Sequence, residues 1–370
     1  MSYQPKYIQI YRRLKANIAT GTTQTLPSEK ELTEVYSVSR VTIRKALALL
    51  REEHLIESGS GMRTRILARP ATSEAGTGAR TLAGGKQIAF VLSGFADSYG
   101  AQLIRTFQAQ VAARGFIPII RLSNESQHDE AVIVKSLIAE GVSGLVIMPV
   151  EGESENKGLL AADFIETPVV IIDRRIGDYP LPFVGTDNFK ISRTITRMLL
   201  DMGHRNILFL VHRGARNTAI QDRIRGIQTA YREIDRRVSA EAWLSVETNF
   251  DSHDQNTEML SRESQKINRR LNSSRPFTCV MALDFSSANL FSIALSAADQ
   301  PVSRLGGIAF DGLPYQTSRL NFNRIQQDET HIMTKALDLL DDQMNNPPLP
   351  AHEVLVDALY IDNHSIQPLN

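Results

Sequence analysis

The stretch from Leu26 to Leu47 limits what this chain can be more than any other. It reads Leu26-Pro27-Ser28-Glu29-Lys30-Glu31-Leu32, then Val38-Ser39-Arg40-Val41-Thr42-Ile43-Arg44-Lys45-Ala46-Leu47. Pro27 has a φ already suited to a first helical turn. Ser28 with Glu31 three residues on forms a capping box, so a helix is expected to start at Ser28. Ser39 is a second N-cap candidate, and a second helix is expected from Arg40 to about Glu53. Ile43, Ala46, Leu47 and Leu50 fall at i, i+3, i+4, i+7 and make one apolar stripe for packing. Arg40, Thr42, Arg44 and Lys45 lie off that stripe. Arg40 and Arg44 are like charges one turn apart, which disfavours an isolated helix by roughly 0.2–0.5 kcal/mol. An anion outside the helix is therefore expected to compensate them. Two readings stand here: a solvated charged face on a small helical domain, or a helix-turn-helix that presents basic and hydroxyl groups to DNA.

The flanks narrow the choice. Lys6 to Ala19 carries a moderate helical pattern through Ile8, Tyr11, Leu14, Ala16 and Ile18. Leu55-Ile56-Glu57-Ser58 leads through Gly59-Ser60-Gly61 into Met62-Arg63-Thr64-Arg65-Ile66, which alternates with a basic outer face. That is a strand–turn–strand signal. An α+β winged helix is the expected N-terminal fold.

On these residues, Lys6 to Ile66 resembles the DNA-binding domain of the GntR family of bacterial repressors. The resemblance implies that Lys30, Ser39, Arg40, Thr42 and Arg44 face operator DNA, and Lys45, off the same apolar stripe, is expected to join them. It also implies that the wing around Gly61 meets the minor groove or backbone. Met62-Arg63-Thr64-Arg65 departs from the family's usual wing, and Arg63 is expected to add a phosphate contact.

The formal net charge of zero hides an asymmetry. Residues 1–69 hold 12 Lys and Arg against 6 Asp and Glu, and the remainder 29 against 35. A basic module on a mildly acidic body fits a nucleic-acid reader attached to something that does not touch phosphates. Three parts are expected: the reader over 1–69, a flexible tether rich in small residues over 70–86, and a body over 87–370. The N-terminus has no apolar leader and no apolar run reaches membrane-span length, so a cytoplasmic protein with no membrane partner is expected. The single cysteine, Cys279, excludes an internal disulfide and a multi-cysteine metal site.

Beyond Gln87 the chain alternates. Apolar runs at 88–92, 117–120, 144–148 and 169–172 are separated by helical patterns at Ala101–Arg114, Ala131–Glu140 and around Leu159–Phe164. The pattern restarts with a helix at Ile191–Met202. Strand signals follow at 207–211, 243–246, 278–283 and 305–310, with helical stretches at 220–234, within 253–271 and at 287–297. Near-continuous Val/Ile/Leu runs between amphipathic helices signal buried parallel sheets. Two such blocks imply two α/β lobes with a ligand cleft at the carboxyl ends of their strands. The segments Leu320–Ile325, Glu329–Met344 and Val354–Ile361 remain to cross between lobes.

This body resembles the effector domain of LacI-family repressors and the type I periplasmic sugar-binding fold. The carrying residues are Gly185-Thr186-Asp187-Asn188, Met202-Gly203-His204-Arg205-Asn206-Ile207, Arg223-Ile224-Arg225-Gly226-Ile227, Leu283-Asp284 and Ile308-Ala309-Phe310-Asp311. Leu283, Ala309 and Gly312 depart from the family's usual Asn, Gly and Asp. A GntR-type reader with such a sensor is similar to the arabinose repressors of Gram-positive bacteria.

A sugar calls for carboxylates, Arg or Asn forks and aromatic platforms. Phe95, Asp97, Tyr99, Arg174, Asp187, Arg223, Asp284, Phe285 and Asp311 all follow strands, where a cleft would take them. Asp187 equally suits an N-cap, Asp311 a cap or lobe interface, and Arg174 and Arg175 surface pairs with Asp173 or Asp178. His204 reads as a structural residue in a helix-to-strand turn, and Trp243 as core. No phosphate loop, zinc-protease motif or nucleophile elbow occurs, and no cofactor or enzyme activity is expected.

The expected function is a homodimeric repressor of carbohydrate-utilisation genes. It would bind double-stranded operator DNA and be released by a small sugar such as L-arabinose or another pentose. An activator or co-repressed regulator that answers to a non-sugar, phosphorylated or acidic sugar metabolite stays open: sequence does not separate it from an induced repressor, and the basic Arg174, Arg175 and Arg223 suit an acidic or phosphorylated sugar.

Overall fold

The computed structural model describes residues 10–11, 14, 26–36, 38–52, 56–57, 65–66, 86–95, 98–151, 159, 167–176, 181–214, 217–248, 257–272, 276–297, 305–312, 322–345 and 352–369. Contacts divide the chain into two compact units, Met1–Thr81 and Leu82–Asn370.

In the first unit, α1 (Glu29–Tyr36) and α2 (Arg40–Glu52) are joined by a short turn. Both expected caps form. Ser28 N–H donates to Glu31 Oε2 at 2.7 Å and Glu31 N–H donates to Ser28 Oγ at 3.3 Å, a reciprocal capping box. Thr42 N–H donates to Ser39 Oγ at 3.3 Å. The apolar stripe of α2 is buried: Ile43, Ala46, Leu47 and Leu50 pack with Ile10, Leu14, Leu26, Leu32 and Ile56. Each fully buried Leu or Ile contributes roughly 1.5–3 kcal/mol. β1 (Ile56–Glu57) pairs antiparallel with β2 (Arg65–Ile66), setting Ile56 against Ile66 and Glu57 against Arg65. The turn between them and the tether expected over 70–86 lie outside the described residues, Lys86 apart.

The second unit holds two six-stranded sheets among the described residues. In lobe 1, β3 (Gln87–Leu92), β4 (Ile117–Leu122), β5 (Gly144–Met148), β6 (Val169–Ile172) and β7 (Phe183–Thr186) run parallel in the order β7-β6-β5-β3-β4. Their helices α3 (Ala101–Ala113) and α4 (Gln127–Ala139) cover the faces. α5 (Asn188–Asp201) then opens lobe 2 with β8 (Ile207–His212), α6 (Thr218–Arg232), β9 (Trp243–Val246), α7 (Thr257–Leu271), β10 (Cys279–Ala282), α8 (Phe285–Ala297), β11 (Gly306–Phe310) and β12 (Asn323–Gln326). The buried, uninterrupted apolar strands are those of parallel sheets covered on both faces. Cys279 is fully buried among them.

The chain crosses between lobes three times. The first crossing is at Asp187, between β7 and α5. The second follows β12: α9 (Glu329–Asn345) returns to lobe 1, burying Ile332, Met333, Ala336, Leu337 and Leu340 against Ile88, Phe90 and Leu92. β13 (Glu353–Val356) then joins β7 in parallel, and β14 (Leu359–Ile361) crosses back to pair antiparallel with β12. The segment expected as one strand, Val354–Ile361, is thus two strands in different sheets, split at Asp357-Ala358. α4 starts four residues before the expected Ala131, because Ser126 Oγ accepts from Asp129 N–H at 3.2 Å and Asp129 and Glu130 suit a first turn. Of the short helix expected at Leu159–Phe164, only Leu159 is described.

The crossings are bonded to one another. Thr186 Oγ1 donates to Gln327 Oε1 at 2.7 Å, Asp187 N–H donates to Val356 O at 2.9 Å, and Lys190 Nζ meets Asp357 at 2.8 Å. In lobe 2, α5 and α6 approach so closely that a Cβ on Gly226 would lie 2.4 Å from Phe189 O.

Candidate functional site

Both lobes aim the carboxyl ends of their central strands at one cleft. Asp173 follows β6 and Asp311 follows β11, the corresponding position in each lobe. Both take left-handed backbone, φ 69° and 61°, a conformation non-glycine residues hold only where the surroundings impose it. The surroundings here are bonds from neighbouring strands. Asp173 N–H donates to Val184 O at 3.0 Å and Asp311 N–H to Ile325 O at 2.9 Å.

Around these two acids lie Tyr99, Arg174, Arg223, Gln327 and Glu329. Tyr99 Oη donates to Asp173 Oδ1 at 2.8 Å, and Arg174 Nε to Asp173 Oδ2 at 3.0 Å. Gln327 Nε2 donates to both Asp311 oxygens at 3.2 and 2.9 Å, while its carbonyl accepts from Thr186. Arg223 is only 5% exposed. Its Nε donates to Asn188 Oδ1 at 2.7 Å and its Nη1 to Leu283 O at 2.5 Å, and its guanidinium lies 3.7 Å over the Phe310 ring. Its Nη2 makes no hydrogen bond among the described residues. Glu329 Oε2 accepts from Gly100 and Leu103 N–H at 2.8 and 3.1 Å, capping α3 from the hinge.

Burial sets the electrostatics. It raises the Asp311 carboxyl to about 7, offset in part by Arg223 and the Gln327 amide and reinforced by Asp173 and Glu329. Tyr99 is pushed well above the ordinary phenol range by burial, then by Asp173, Asp311 and Glu329. Burial lowers Arg223, and Asp311, Asp173 and Asp284 act against that.

The sequence candidates divide accordingly. Tyr99, Arg174, Arg223 and Asp311 come together. Asp284 stands at the same end of lobe 2, but both its oxygens are engaged: Oδ1 accepts from Ser287 N–H at 2.7 Å and Oδ2 from Ser287 Oγ at 2.8 Å, capping α8. Phe285, the next residue, is half-buried. Asp187 caps α5, accepting from Lys190 N–H at 2.9 Å, and belongs to the first crossing. Phe95 is 54% exposed in the loop after β3, and Asp97 lies outside the described residues. Sequence reasoning missed Gln327 and Glu329 as cleft residues and read Asp173 only as an ion-pair partner. The one available signal was the polar run Gln326-Gln327-Asp328-Glu329 between a strand and a helix. His204 is buried, bonded to Thr278 Oγ1 at 2.9 Å and Gln367 O at 3.1 Å, in the helix-to-strand turn.

A second set of contacts ties the lobes beside the cleft. Arg175, after β6, meets Asp222 of α6 at 3.0 Å and also Glu353, and its N–H donates to Thr218 Oγ1 at 2.8 Å. The Arg174 and Arg175 pairs are therefore with Asp173, Asp222 and Glu353; Asp178 is outside the described residues.

In the first unit, Ser39, Arg40, Arg44 and Lys45 are exposed on α2 and Thr42 is half-exposed. Ser39 Oγ lies 2.9 Å from Thr42 Oγ1, so the two hydroxyls share a bond at the helix start. Arg44 Nε donates to Glu29 Oε2 at 3.1 Å, so the compensating anion expected outside α2 is supplied, for Arg44, by α1. The Lys30 side chain, Gly61 and Arg63 lie outside the described residues.

No group of His, Cys, Asp and Glu among the described residues is arranged to hold a metal ion, and no described helix is long and apolar enough to cross a membrane.

Comparison with known proteins agrees with both units. The profile described as bacterial regulatory proteins, gntR family, matches residues 6–66, and that of a periplasmic binding protein domain matches 88–269. The chain is 25% identical over 252 residues to the arabinose metabolism transcriptional repressor of Geobacillus stearothermophilus, an alignment spanning 66% of each. It thus matches just under two thirds of that relative's length. Among solved structures, the transcription regulator CcpA of Lactococcus lactis superposes with a TM-score of 0.64 at 17% identity, over 76% of this chain and 100% of that one. A LacI family transcriptional regulator of Enterococcus faecium, with bound ribose, gives 0.61 at 19% identity over 77% and 100%. The two lobes have the fold of these regulators. The chain joins a GntR-type helix-turn-helix domain, residues 6–66, to a periplasmic-binding-protein-like domain.

Proposed function

We propose that this chain is a sugar-responsive transcriptional repressor that acts as a homodimer in the bacterial cytoplasm. Residues 1–69 form a winged helix that reads operator DNA, 70–86 tether it, and 87–370 hold the effector. The observation that carries the reading is the division of α2: one face fully buried, the other presenting Arg40, Arg44 and Lys45. A helix so built places cations where the major groove places phosphates and base edges. Ser39, Thr42, Lys30 and the wing residues Gly61 and Arg63 complete the DNA face.

The effector is an uncharged polyhydroxy compound, a pentose such as L-arabinose. Arg174 and Arg175 are each paired to a carboxylate, and Arg223 stands among Asp311, Asp173 and Asp284. With Glu329 beside them, acids outnumber unpaired cations. Sugar hydroxyls can donate to those carboxylates and accept from Arg223 Nη2; a sugar acid or phosphate would meet like charge. The names of the relatives agree: one repressor of arabinose metabolism, and one regulator with ribose bound.

Gel-shift titration tests the reader. Arg40→Ala is expected to weaken binding to a duplex selected from a random pool by about 1–3 kcal/mol if Arg40 reads a base. A loss of similar size on every sequence, with a reduced salt slope, means a phosphate contact instead. Unaltered binding to selected and scrambled DNA contradicts the assignment. A thermal-shift panel tests the effector: L-arabinose, D-ribose and D-xylose against gluconate and ribose 5-phosphate. Stabilisation by the charged compounds alone contradicts the uncharged class.

A further inference from the structure

A cavity of about 270 Å3 lies beside the second crossing. Its walls come from both lobes: Gln102 and Arg105 of α3 and Thr330 of α9 in lobe 1, Gly312 and Gln326 at the ends of β11 and β12 in lobe 2. The crossing itself, Gln327-Asp328-Glu329, runs between them. Neighbours in sequence divide here between two places. Tyr99 bonds to Asp173 in the effector site, while Ser98 lines the cavity. Asp311 belongs to the effector site, while Gly312 lines the cavity. Gln327 and Glu329 border both.

The cavity wall carries unused bonding capacity. Ser98 is only 7% exposed, yet its hydroxyl makes no hydrogen bond among the described residues, where buried polar groups are nearly always bonded. Arg105 is exposed and makes no ion pair among the described residues, and the Gln326 amide is equally free there. Gln102 spends its Nε2 on Thr106 and Thr330, each at 3.3 Å, and its Oε1 accepts no bond among the described residues. No hydrocarbon or aromatic side chain lines the space, so an apolar guest finds no partner. One guanidinium faces the carboxylates of Asp328 and Glu329, so an anion meets two like charges and a cation meets Arg105. A neutral compound with several hydroxyls suits this wall, because each hydroxyl both donates and accepts. The volume lies just under the roughly 300–1,000 Å3 of ordinary ligand pockets, which limits the guest to a monosaccharide or a smaller polyol.

We propose that this cavity is a second ligand site, which takes a small neutral polyol on Ser98, Gln102, Arg105 and Gln326. A guest there touches both lobes beside the crossing and so favours this relation of the lobes.

The test uses the full chain and equilibrium dialysis, which counts molecules bound per chain. The probes are L-arabinose, D-xylose, D-glucose, myo-inositol and glycerol, with gluconate and inorganic phosphate as charged controls. At least one neutral probe is expected to occupy a site that Thr330→Trp abolishes by filling the cavity, that Arg105→Ala weakens about tenfold or more, and that Thr330→Ser leaves intact. Both positions are exposed, and circular dichroism checks that the variants fold. Arg223→Ala is expected to spare this site while removing the effector site. If no neutral probe loses a site in Thr330→Trp, or the charged controls alone do, the proposal is overturned, and L-arabinose binding that is lost only in Arg223→Ala then leaves the effector site standing. A site lost in Thr330→Trp, with nothing lost in Arg223→Ala, supports the second site and overturns the first.

Discussion

Asp311 shows how a single side chain records the cleft's character. It sits in a left-handed turn at a strand end, 6% exposed, among Arg223, Gln327, Asp173 and Glu329. Burial lifts its carboxyl from 3.8 to about 7. Between those values the folded chain keeps a proton that the unfolded chain has lost, so this group makes the protein less stable as pH rises through that window. His204 acts in the opposite sense: burial lowers its pKa, and stability is lost as pH falls below the ordinary 6.5. Asp311→Asn removes the first effect and keeps the second. The melting temperature of wild type minus that of the variant is therefore expected to drop between about pH 4 and 7, and a difference independent of pH contradicts the buried-acid account. Arg223→Ala is expected to weaken sugar binding at least tenfold in isothermal titration while leaving DNA affinity intact, because the proposed sugar contact is made by Nη2, which has no hydrogen bond among the described residues. Arg223 was legible in the sequence from its place in the helix after a strand. Gln327 and Glu329 were not, because their roles arise from crossings that bring residues more than a hundred positions apart together, as in the Thr186–Gln327 bond.

Secondary structure elements were legible to the extent that a local signal existed for them. The buried strands of both lobes read directly as apolar runs, and the two helices of the reader as capped amphipathic patterns. The start of α4 was missed because His128-Asp129-Glu130 look like loop, although Ser126 caps them and Glu130 is buried with Oε1 accepting from Val150 N–H at 2.8 Å. The division of β13 from β14 had no local signal, since both belong to one alternating segment and only pairing with β7 or β12 separates them. In lobe 2, α5 and α6 pack closely, and Gly226 permits it. Gly226→Ala places a Cβ against Phe189 O and Arg193 N at 2.4 and 2.9 Å. Overpacking of this kind is expected to lower unfolding free energy by about 1–3 kcal/mol, read as a lower urea midpoint with unchanged slope. A midpoint equal to that of the wild type contradicts so close an approach.

The organisation of the chain was read mainly from contrasts along it: a basic first 69 residues, a tether of small residues, an acidic body with two repeated α/β blocks. What those contrasts do not contain is the coupling between parts. In the body, residues from both lobes surround Asp173 and Asp311, and Arg175 ties β6 to α6, so a ligand in the proposed site is expected to contact both lobes. A ligand that favours one relation of the lobes shifts the population of that state, and any effect on DNA follows from the difference in affinity between states. Such coupling is reciprocal. The decisive measurement is the affinity of the chain for its selected duplex with and without saturating L-arabinose, set beside its affinity for the sugar with and without saturating duplex. The proposed repressor is expected to lose DNA affinity on binding sugar, and to lose sugar affinity on binding DNA by the same factor, on the order of 5- to 150-fold. Sugar that binds tightly yet leaves DNA affinity unchanged contradicts a sugar-controlled reader.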